Sequence, residues 1–480
     1  MKRIICFIIS LAILICLYGC HADLQNPTDP PTEPIATEPT ATDPPPTEPQ
    51  WPGYTGPKGE YTYFYEEERD AQWEEDVVYF ANSYLGHHPL LSDRRYLIYY
   101  PSEKSDNGKF YDETLQKDFI AGINALIPEI SQLTDNQIIG RMMMLLALLE
   151  DAHTGLGLPS SDLFPISFIA MYEEDEYVYY VNILPSEHED LLFTTLVSIN
   201  GYPLNDIIEQ IRSIRGIEND YGLYGSCGNG YLGGDLANNI ILETLGIIDP
   251  GSSSVVYTLQ MTDGTTTDLE LDLVGNKRIR YVSHTPEDAY SVSYGTASNN
   301  NYWFTTTLDN HTLFLRINSF QVDAYNDYGT LGNKLNLAYQ QEDGFDKIII
   351  DLRDNGGGYT GFGYMRLLTV LRSYDCSNIY ILINSGSYSQ STFFVADVMN
   401  MLEGVTIVGT PSGQNTEFYA GMTYEYVMPN SEIICKMPTG FCDIFPEEEC
   451  GRLIPDVVIW PTIEDYLNCT DAILEYVLNQ

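Results

Sequence analysis

Four serine hydroxyls, each a potential nucleophile, are clustered in segment 385–391, which reads Ser-Gly-Ser-Tyr-Ser-Gln-Ser. The segment connects a predicted strand, 379–383, to a predicted helix that begins near Thr392. A serine in such a strand–turn–helix connection projects from the end of a sheet, beside a helix N-terminus that stabilises negative charge. Helix N-capping is the ordinary alternative use of serine here, and composition alone does not select one of the four.

A second segment, 351–358, ends in three consecutive glycines and reads Asp-Leu-Arg-Asp-Asn-Gly-Gly-Gly. It lies at the end of a predicted buried strand, 347–352. Glycines let a loop turn sharply and direct backbone N–H groups toward one point, which suits an oxyanion hole or a phosphate site. A tight structural turn explains the glycines equally well.

The third segment contains His153, in a glycine-flanked loop that leaves a predicted apolar helix. An imidazole within reach of a serine hydroxyl can act as the general base that a serine nucleophile needs at neutral pH. A lone histidine is more often a hydrogen-bonded structural residue than a catalytic one. His153 is nevertheless a candidate base, because the chain has only seven histidines and this one leaves an apolar helix.

The elements that would hold the serine and glycine segments lie in the C-terminal part of the chain, 300–480. The predicted strands there are 312–317, 347–352, 379–383 and 405–408, and the apolar centre of 347–352 is typical of a sheet covered on both faces. Predicted helices between them are 363–371 and 392–402. This alternation predicts a βαβ core.

The histidine segment follows a part of the chain, 66–150, that is predicted to be helical. Apolar residues fall at helical spacing over 113–127, and Pro128 is predicted to end that helix. Thr134 or Asp135 is the predicted cap of the next helix, which includes the apolar stretch 138–149.

Residues 165–275 are predicted to form short strands with one helix. A strand over 193–199 leads into a tight turn at Asn200 and Gly201. The strict alternation of residues 269–273 predicts a half-exposed strand.

Together these segments resemble the C-terminal-processing and tricorn-like serine peptidases of the tail-specific protease superfamily, over roughly residues 66–480. The match consists of 351–358 with D-L-R-x-N-x-G-G, 387–391 with T-x-S-x-S, 409–413 with G-x-P-T-G and 452–456 with the closing G-V-x-P-D. Ser389 falls at the position of the nucleophile, and Gly451 stands one place from the glycine of the closing motif. Segment 198–204 also resembles a PDZ-like domain.

The resemblance offers two catalytic bases. Processing enzymes use a lysine just after the third motif, but Asn415 stands at that place with Gln414 before it, and neither can take a proton. The tricorn-like branch uses a histidine from a D-x-H segment, which Asp151-Ala152-His153 matches. The resemblance therefore implies that His153 takes the proton of Ser389 during attack on a peptide carbonyl and passes it to the leaving amine.

Accessory residues are implied in the same way. A glutamate before the closing motif assists in the tricorn-like branch, and Glu449 is nearest, with Glu447 and Glu448 as rivals. The oxyanion would be bound by the N–H of Gln390 and of one glycine in 356–358, for which we take Gly357. No cofactor is expected. No metal site is expected either, because the cysteines lack C-x-x-C spacing, which is typical of zinc ligands.

The N-terminus predicts export from a bacterial cell. Lys2 and Arg3 precede an apolar run, 4–17, that is shorter than the roughly 20 residues a membrane-spanning helix needs and is typical of a signal peptide. Residues 17–20, Leu-Tyr-Gly-Cys, resemble a lipobox, so Cys20 would be lipidated and become the mature N-terminus. Ordinary signal-peptidase cleavage near Cys20 is the alternative.

A linker is predicted over 21–60, because it holds 11 of the 26 prolines among Thr, Asp and Glu. Such a composition cannot bury a core and favours an extended chain.

The net charge excludes some classes of binding partner, and the cysteine count bears on disulfide formation outside the cell. The net charge of -45 would repel nucleic acid and anionic lipid headgroups, so both are excluded as partners. Once the two signal-peptide cysteines and Cys20 are set aside, six of the nine remain, and four of these fall in 435–469. An even number outside the cell permits disulfides, most simply Cys442–Cys450.

The sequence thus predicts an α/β (α+β multidomain) protein with a signal peptide, 1–20, and a linker, 21–60. A helical N-terminal domain (61–160), a PDZ-like β-rich domain (161–280) and a βαβ catalytic core of the crotonase-like/ClpP-like type (281–480) follow. The expected function is an extracellular, lipid-anchored serine endopeptidase that cleaves peptides or unfolded protein termini. A surface binding module that keeps the fold without catalysis is the alternative.

Overall fold

The computed structural model describes residues 68–93, 97–99, 111–157, 163–227, 234–274, 279–283, 303–308, 311–321, 328–358, 363–420, 423–444 and 451–480. All of them belong to one structural unit, Lys58–Gln480. The predicted signal peptide, Cys20, the predicted linker, the three candidate glutamates 447–449 and Cys450 lie outside the described residues.

The described α-helices are α1 (Arg69–His87), α2 (Glu113–Leu126), α3 (Asp135–Ala147), α4 (Leu204–Ile211), α5 (Asp220–Cys227), α6 (Asn239–Thr244), α7 (Tyr328–Gln341), α8 (Gly363–Arg372), α9 (Gln390–Met401), α10 (Ile463–Asn468) and α11 (Ala472–Leu478). Shorter 3-10 helices are Ile127–Gln132, Ser186–Leu191 and Asp235–Ala237. Within this part of the chain, no helix combines the length and the apolar character that crossing a membrane requires.

The described strands are β1 (Leu97–Tyr99), β2 (Gly155–Gly157), β3 (Ser167–Glu173), β4 (Glu176–Pro185), β5 (Thr195–Ile199), β6 (Tyr202–Pro203), β7 (Ser254–Gln260), β8 (Thr266–Asp272), β9 (Tyr281–Ser283), β10 (Trp303–Leu308), β11 (Thr312–Ile317), β12 (Lys347–Asp351), β13 (Ile379–Ile383), β14 (Val405–Gly409), β15 (Glu417–Ala420), β16 (Tyr424–Val427), β17 (Ile434–Met437), β18 (Gly440–Asp443) and β19 (Val457–Val458).

A six-stranded sheet carries the candidate serine and glycine segments, in the order β10-β11-β12-β13-β14-β19. In this sheet β11, β12, β13, β14 and β19 are parallel, and β10 is antiparallel to β11. Alternate residues of the central strands enter two different apolar clusters, one of which includes residues of α7, α8 and α9 and the other residues of α11. The predicted βαβ order, with a sheet buried on both faces, is confirmed.

The predicted helix boundaries follow local sequence signals. α2 ends at Leu126, and the chain continues as a 3-10 helix with Pro128 in its first turn. Thr134 caps α3 with its side chain, in a reciprocal arrangement with Gln137. One element in this part differs from the prediction, because Leu97–Tyr99 forms a strand that pairs in parallel with β18.

A second sheet has the order β3-β4-β5-β7-β8, with β6 paired to β5 and β9 to β4. Asn200 and Gly201 both have positive φ, +48° and +80°, which joins β5 to β6 in the tight turn that the Asn-Gly pair predicts. The helices α1 to α3 share one apolar cluster with this sheet. Two three-stranded sheets, β1-β18-β15 and β16-β17-β2, complete the fold.

Candidate active site

Ser389 lies in the sharp turn between β13 and α9. Its backbone has φ 55° and ψ −118°, a conformation that a residue other than glycine rarely adopts. Although Ser389 is the N-cap residue of α9, its side chain makes no capping hydrogen bond. Its hydroxyl oxygen lies instead 2.9 Å from His153 Nε2, so the capping alternative does not describe this serine.

The other three serines of the segment face elsewhere. The Ser387 hydroxyl is buried and donates to the Leu352 carbonyl oxygen. Ser391 Oγ is buried without a hydrogen-bond partner, and Ser385 lies against Gly225. Among the described residues of this segment, Ser389 is the one whose hydroxyl contacts a base.

His153 reaches this point from the loop that follows α3, although it is separated from Ser389 by 236 residues of sequence. Its ring contacts those of Tyr388 and Phe418, with centroid distances of 5.2 and 5.8 Å. Burial lowers the pKa of His153 below its ordinary value, an effect that the charge of Asp151 partly opposes. The imidazole is therefore neutral and able to accept a proton near neutral pH.

Asp151 holds the histidine loop. Its carboxylate is fully buried, accepts the backbone N–H of His153 at 2.9 Å and lies 4.0 Å from His153 Nδ1. Its other oxygen accepts the Thr154 hydroxyl and faces His88 Nε2 at 3.4 Å. His88 Nδ1 accepts the Leu90 backbone N–H, which leaves the proton on Nε2. His88 thus lies against the Asp151 oxygen that does not accept the His153 N–H.

Glu218 is a residue that the sequence motifs did not identify. It lies between α4 and α5 and accepts hydrogen bonds from the Tyr388 hydroxyl at 2.7 Å and the Asn415 N–H at 2.9 Å. Burial, together with the charge of Asp151, raises the pKa of Glu218 to about 8. No motif contains Glu218, so only its contacts reveal it.

Asn415 and Gln414 occupy the place of the lysine of the processing branch. The Asn415 side chain donates to the Glu218 carbonyl oxygen at 3.0 Å, and Gln414 Oε1 accepts the backbone N–H of Ser389 at 2.6 Å. Gln414 Oε1 also accepts the hydroxyl of Thr392 at 3.0 Å. Gln414 therefore fixes the turn that presents Ser389 and occupies the amide of that residue.

The glycine run packs directly against this turn. A Cβ on Gly357, which has φ +93°, would lie 2.7 Å from Ser389 Cβ and 2.8 Å from Gln390 N, so glycine is required there. Gln390 is the first residue of α9, where a backbone N–H has no partner within the helix. The Gln390 N–H is therefore placed to bind an oxyanion.

The expectation for Gly357 requires a correction. Its N–H donates to Asn355 Oδ1 at 2.9 Å, because the Asn355 side chain folds back to stabilise the turn. The structure therefore does not present this amide to a substrate. Of the glycine run, Gly356 and Gly358 remain as candidates for the second N–H donor that the family resemblance implies beside Gln390.

A buried charge network anchors the glycine loop to the sheet. Asp351, at the end of β12, accepts hydrogen bonds from Arg316 at 2.9 Å and from Arg353 at 2.7 Å. Arg353 also pairs with Asp471, which precedes α11, at 2.8 Å. Burial alone would raise the pKa of Asp351, but Arg353 and Arg316 lower it to about 2.

One ligand atom each from Asp151, His153 and Glu218 lies within 4.8 Å of the other two, close enough to hold a cation. The three side chains also make other contacts: His153 Nε2 contacts Ser389, and the Asp151 and Glu218 carboxyl groups accept hydrogen bonds. The arrangement therefore suits proton transfer. A neutral base touches a strained serine, and carboxyl groups lie close enough to stabilise a protonated imidazole.

The expected disulfide is not formed. Cys442 is a free thiol on β18, fully buried in an apolar cluster with Ala396 and Phe418. Cys227, Cys376, Cys435 and Cys469 are also free thiols within the described ranges. The short spacing to Cys450 suggested a bridge, but the side chain of Cys442 is used for packing.

No family model matches the sequence, and no curated protein matches it. Among solved structures, mature CPAF complexed with lactacystin matches with a TM-score of 0.54 and 13% identity over 85% of this chain and 97% of that one. A second structure of mature CPAF gives a TM-score of 0.52 and 12% identity over 85% and 96% of the two chains. Tricorn protease matches at 13% identity over 78% of this chain and 35% of its own, but its TM-score of 0.34 is too low to support an argument. The chain therefore has the mixed α/β fold of CPAF.

Proposed function

We propose that this protein is a serine peptidase that cleaves peptides or unfolded protein termini through an acyl-enzyme. One observation carries the proposal: the hydroxyl of a serine in a strained turn, at the N-terminus of α9, lies 2.9 Å from a histidine nitrogen. A binding module without catalysis would have no need of this contact.

The geometry supports the following reaction. His153 Nε2 takes the hydroxyl proton as Ser389 Oγ bonds to the peptide carbonyl carbon, and the Gln390 N–H with a second glycine amide binds the oxyanion. The proton then passes to the leaving amine as the C–N bond breaks. Water, activated by the same imidazole, hydrolyses the acyl-enzyme and restores Ser389.

A fluorophosphonate probe tests the proposal directly. We expect it to label the native protein at Ser389 and to leave Ser389→Ala unlabelled, because the probe reacts only with an activated serine. Ser385→Ala is the matched control in the same segment and should keep full labelling. A native protein that is folded but not labelled would point to the binding module instead.

The finer assignments belong to the same proposal. The sheet built on β3, β4, β5, β7 and β8 would be the PDZ-like domain, and the six-stranded sheet with its helices the crotonase-like catalytic core. The base supplied by His153, with asparagine at the lysine position, supports the tricorn-like branch.

The enzyme would act outside the cell, held to the membrane by a lipid on Cys20. The lipobox-like sequence 17–20 supports this location. We expect Cys20→Ala to release the protein from the membrane fraction or to leave an uncleaved precursor. Cys16→Ala, within the apolar run, is the matched control and should be processed normally. Fractionation would measure membrane association, and mass spectrometry would measure processing. Normal processing and unchanged membrane association of Cys20→Ala would contradict the proposed lipid anchor.

A further inference from the structure

The segment between α4 and α5 docks onto both sides of the candidate site. A Cβ on Gly216 would lie 2.3 Å from the Asp151 carbonyl oxygen, so this segment touches the backbone of the histidine loop. In the first turn of α5, which follows the segment, a Cβ on Gly222 would lie 2.6 Å from the carbonyl oxygen of Gly413. Asn219 donates to the Ser412 carbonyl oxygen at 3.3 Å. The segment thus joins two loops that otherwise come from distant parts of the chain.

Glu218 is the titratable residue at the centre of this junction. Its carboxyl oxygens accept the Tyr388 hydroxyl, from the residue before the nucleophile, and the Asn415 N–H. A carboxyl oxygen of Glu218 lies within 4.8 Å of a His153 ring nitrogen and of an Asp151 carboxyl oxygen. His153 Nδ1, which lies 4.0 Å from Asp151, is buried without a hydrogen-bond partner.

We propose that Glu218 is a positioning residue for His153, a second carboxyl partner besides Asp151 that fixes the ring through Tyr388 and stabilises its protonated form by charge. This inference rests on the proposed Ser389–His153 chemistry. Because Glu218 comes from outside the six-stranded sheet, the base works fully only when the segment between α4 and α5 is docked.

The charge of Glu218 depends on pH. The titratable groups that face it are Asp151 and His153 from the histidine loop, Tyr388 from the turn before α9, and Cys442 from β18. With a pKa raised to about 8, the carboxyl is neutral below that pH and anionic above it. The anion attracts the imidazolium that forms in the transition state. The reaction of Ser389 should therefore accelerate in two steps, first as His153 loses its proton and again near pH 8.

The experiment measures the second-order rate constant of fluorophosphonate labelling of the full-length protein from pH 5 to about 9.5, with Ser389→Ala as the blank for probe hydrolysis. We expect native protein to show both steps, the second on the order of tenfold. Glu218→Gln keeps the size of the side chain but cannot ionise, so it should lose the second step and react more slowly above it. Asp220→Asn, which removes an exposed carboxyl group at the start of α5, two residues from Glu218, should keep both steps.

A second variant decides the question if Glu218→Gln does not fold. The Tyr388 hydroxyl bond lowers the pKa of Glu218, so Tyr388→Phe should move the second step to higher pH and leave the first in place. A native profile with one step, or a second step that persists in Glu218→Gln or does not move in Tyr388→Phe, would overturn the inference. Failure of the native protein to label at any pH would instead refute the proposed function.

Discussion

Replacement of His153 by alanine is expected to abolish peptide hydrolysis about as completely as Ser389→Ala, by a factor on the order of 10⁴ or more. His153 Nε2 contacts the serine hydroxyl, which is a poor nucleophile without a base. The double variant should be scarcely slower than either single one, because residues that act as one unit are not additive. Steady-state rates on a peptide that the native enzyme cleaves, with circular dichroism to verify folding, would measure the effect.

The pH dependence follows from the same residue. Burial lowers the pKa of His153, and only the neutral imidazole accepts a proton, so activity should persist through the pH range in which an ordinary imidazole titrates and be lost only at lower pH. His87→Ala is the matched control, since His87 contacts Tyr424 and Tyr426 and not the nucleophile, and it should stay active. Retention of most of the activity by folded His153→Ala would show that another group serves as base.

Replacement of Asp351 by asparagine should lower the free energy of unfolding by about 3 to 5 kcal/mol, because it breaks a buried ion network on one side only. Asp351 is fully buried, and its carboxylate neutralises Arg316 and Arg353. The amide would leave both guanidinium groups short of an acceptor and place an NH₂ group against them. Urea denaturation followed by fluorescence would measure the loss.

The same network predicts how the free energy of unfolding changes at acid pH. Arg353 and Arg316 hold the pKa of Asp351 at about 2, below the ordinary value of about 3.9 for an unfolded chain. Its contribution is therefore fully present above about pH 4 and is lost as pH falls through about 2. Asp354→Asn is the control, because Asp354 is 63% exposed and its 3.8 Å pair with Arg316 should contribute less than about 1 kcal/mol. Equal losses in the two variants would contradict the role of burial.

The serine and glycine segments were found from sequence because their signals are local. Apolar strand centres, an Asn-Gly turn, a Thr134 cap and a glycine run depend on residues only a few positions apart. The structure places the segments after β12, β13 and β14 at one edge of the sheet, because parallel strands end on the same side. That arrangement follows once the βαβ order is known.

Other parts of the site have no local signal. The accessory glutamate expected among residues 447–449 lies outside the described residues and stays a prediction, whereas Glu218, which contacts the turn, belongs to no motif. His88 belongs to none of the sequence motifs, but it is buried against Asp151 and Thr154. The Gly357 amide was assigned to a substrate but is used by Asn355. Each of these outcomes depends on which groups meet in space.

The sequence by itself determined the βαβ order of the central strands between 312 and 408, the segments that could supply a nucleophile and a base, and the absence of a lysine from the place where one would compete. These follow from side-chain type, periodicity and glycine, which act over a few residues. The family resemblance implies the Ser389–His153 pair, but only the tertiary structure places the two side chains in contact, brings Glu218 to the neighbouring Tyr388, and shows that Cys442 is buried as a thiol. The physical reason is that hydrogen bonds and charges act over a few ångströms in space, and the packing of whole elements determines which distant residues come that close.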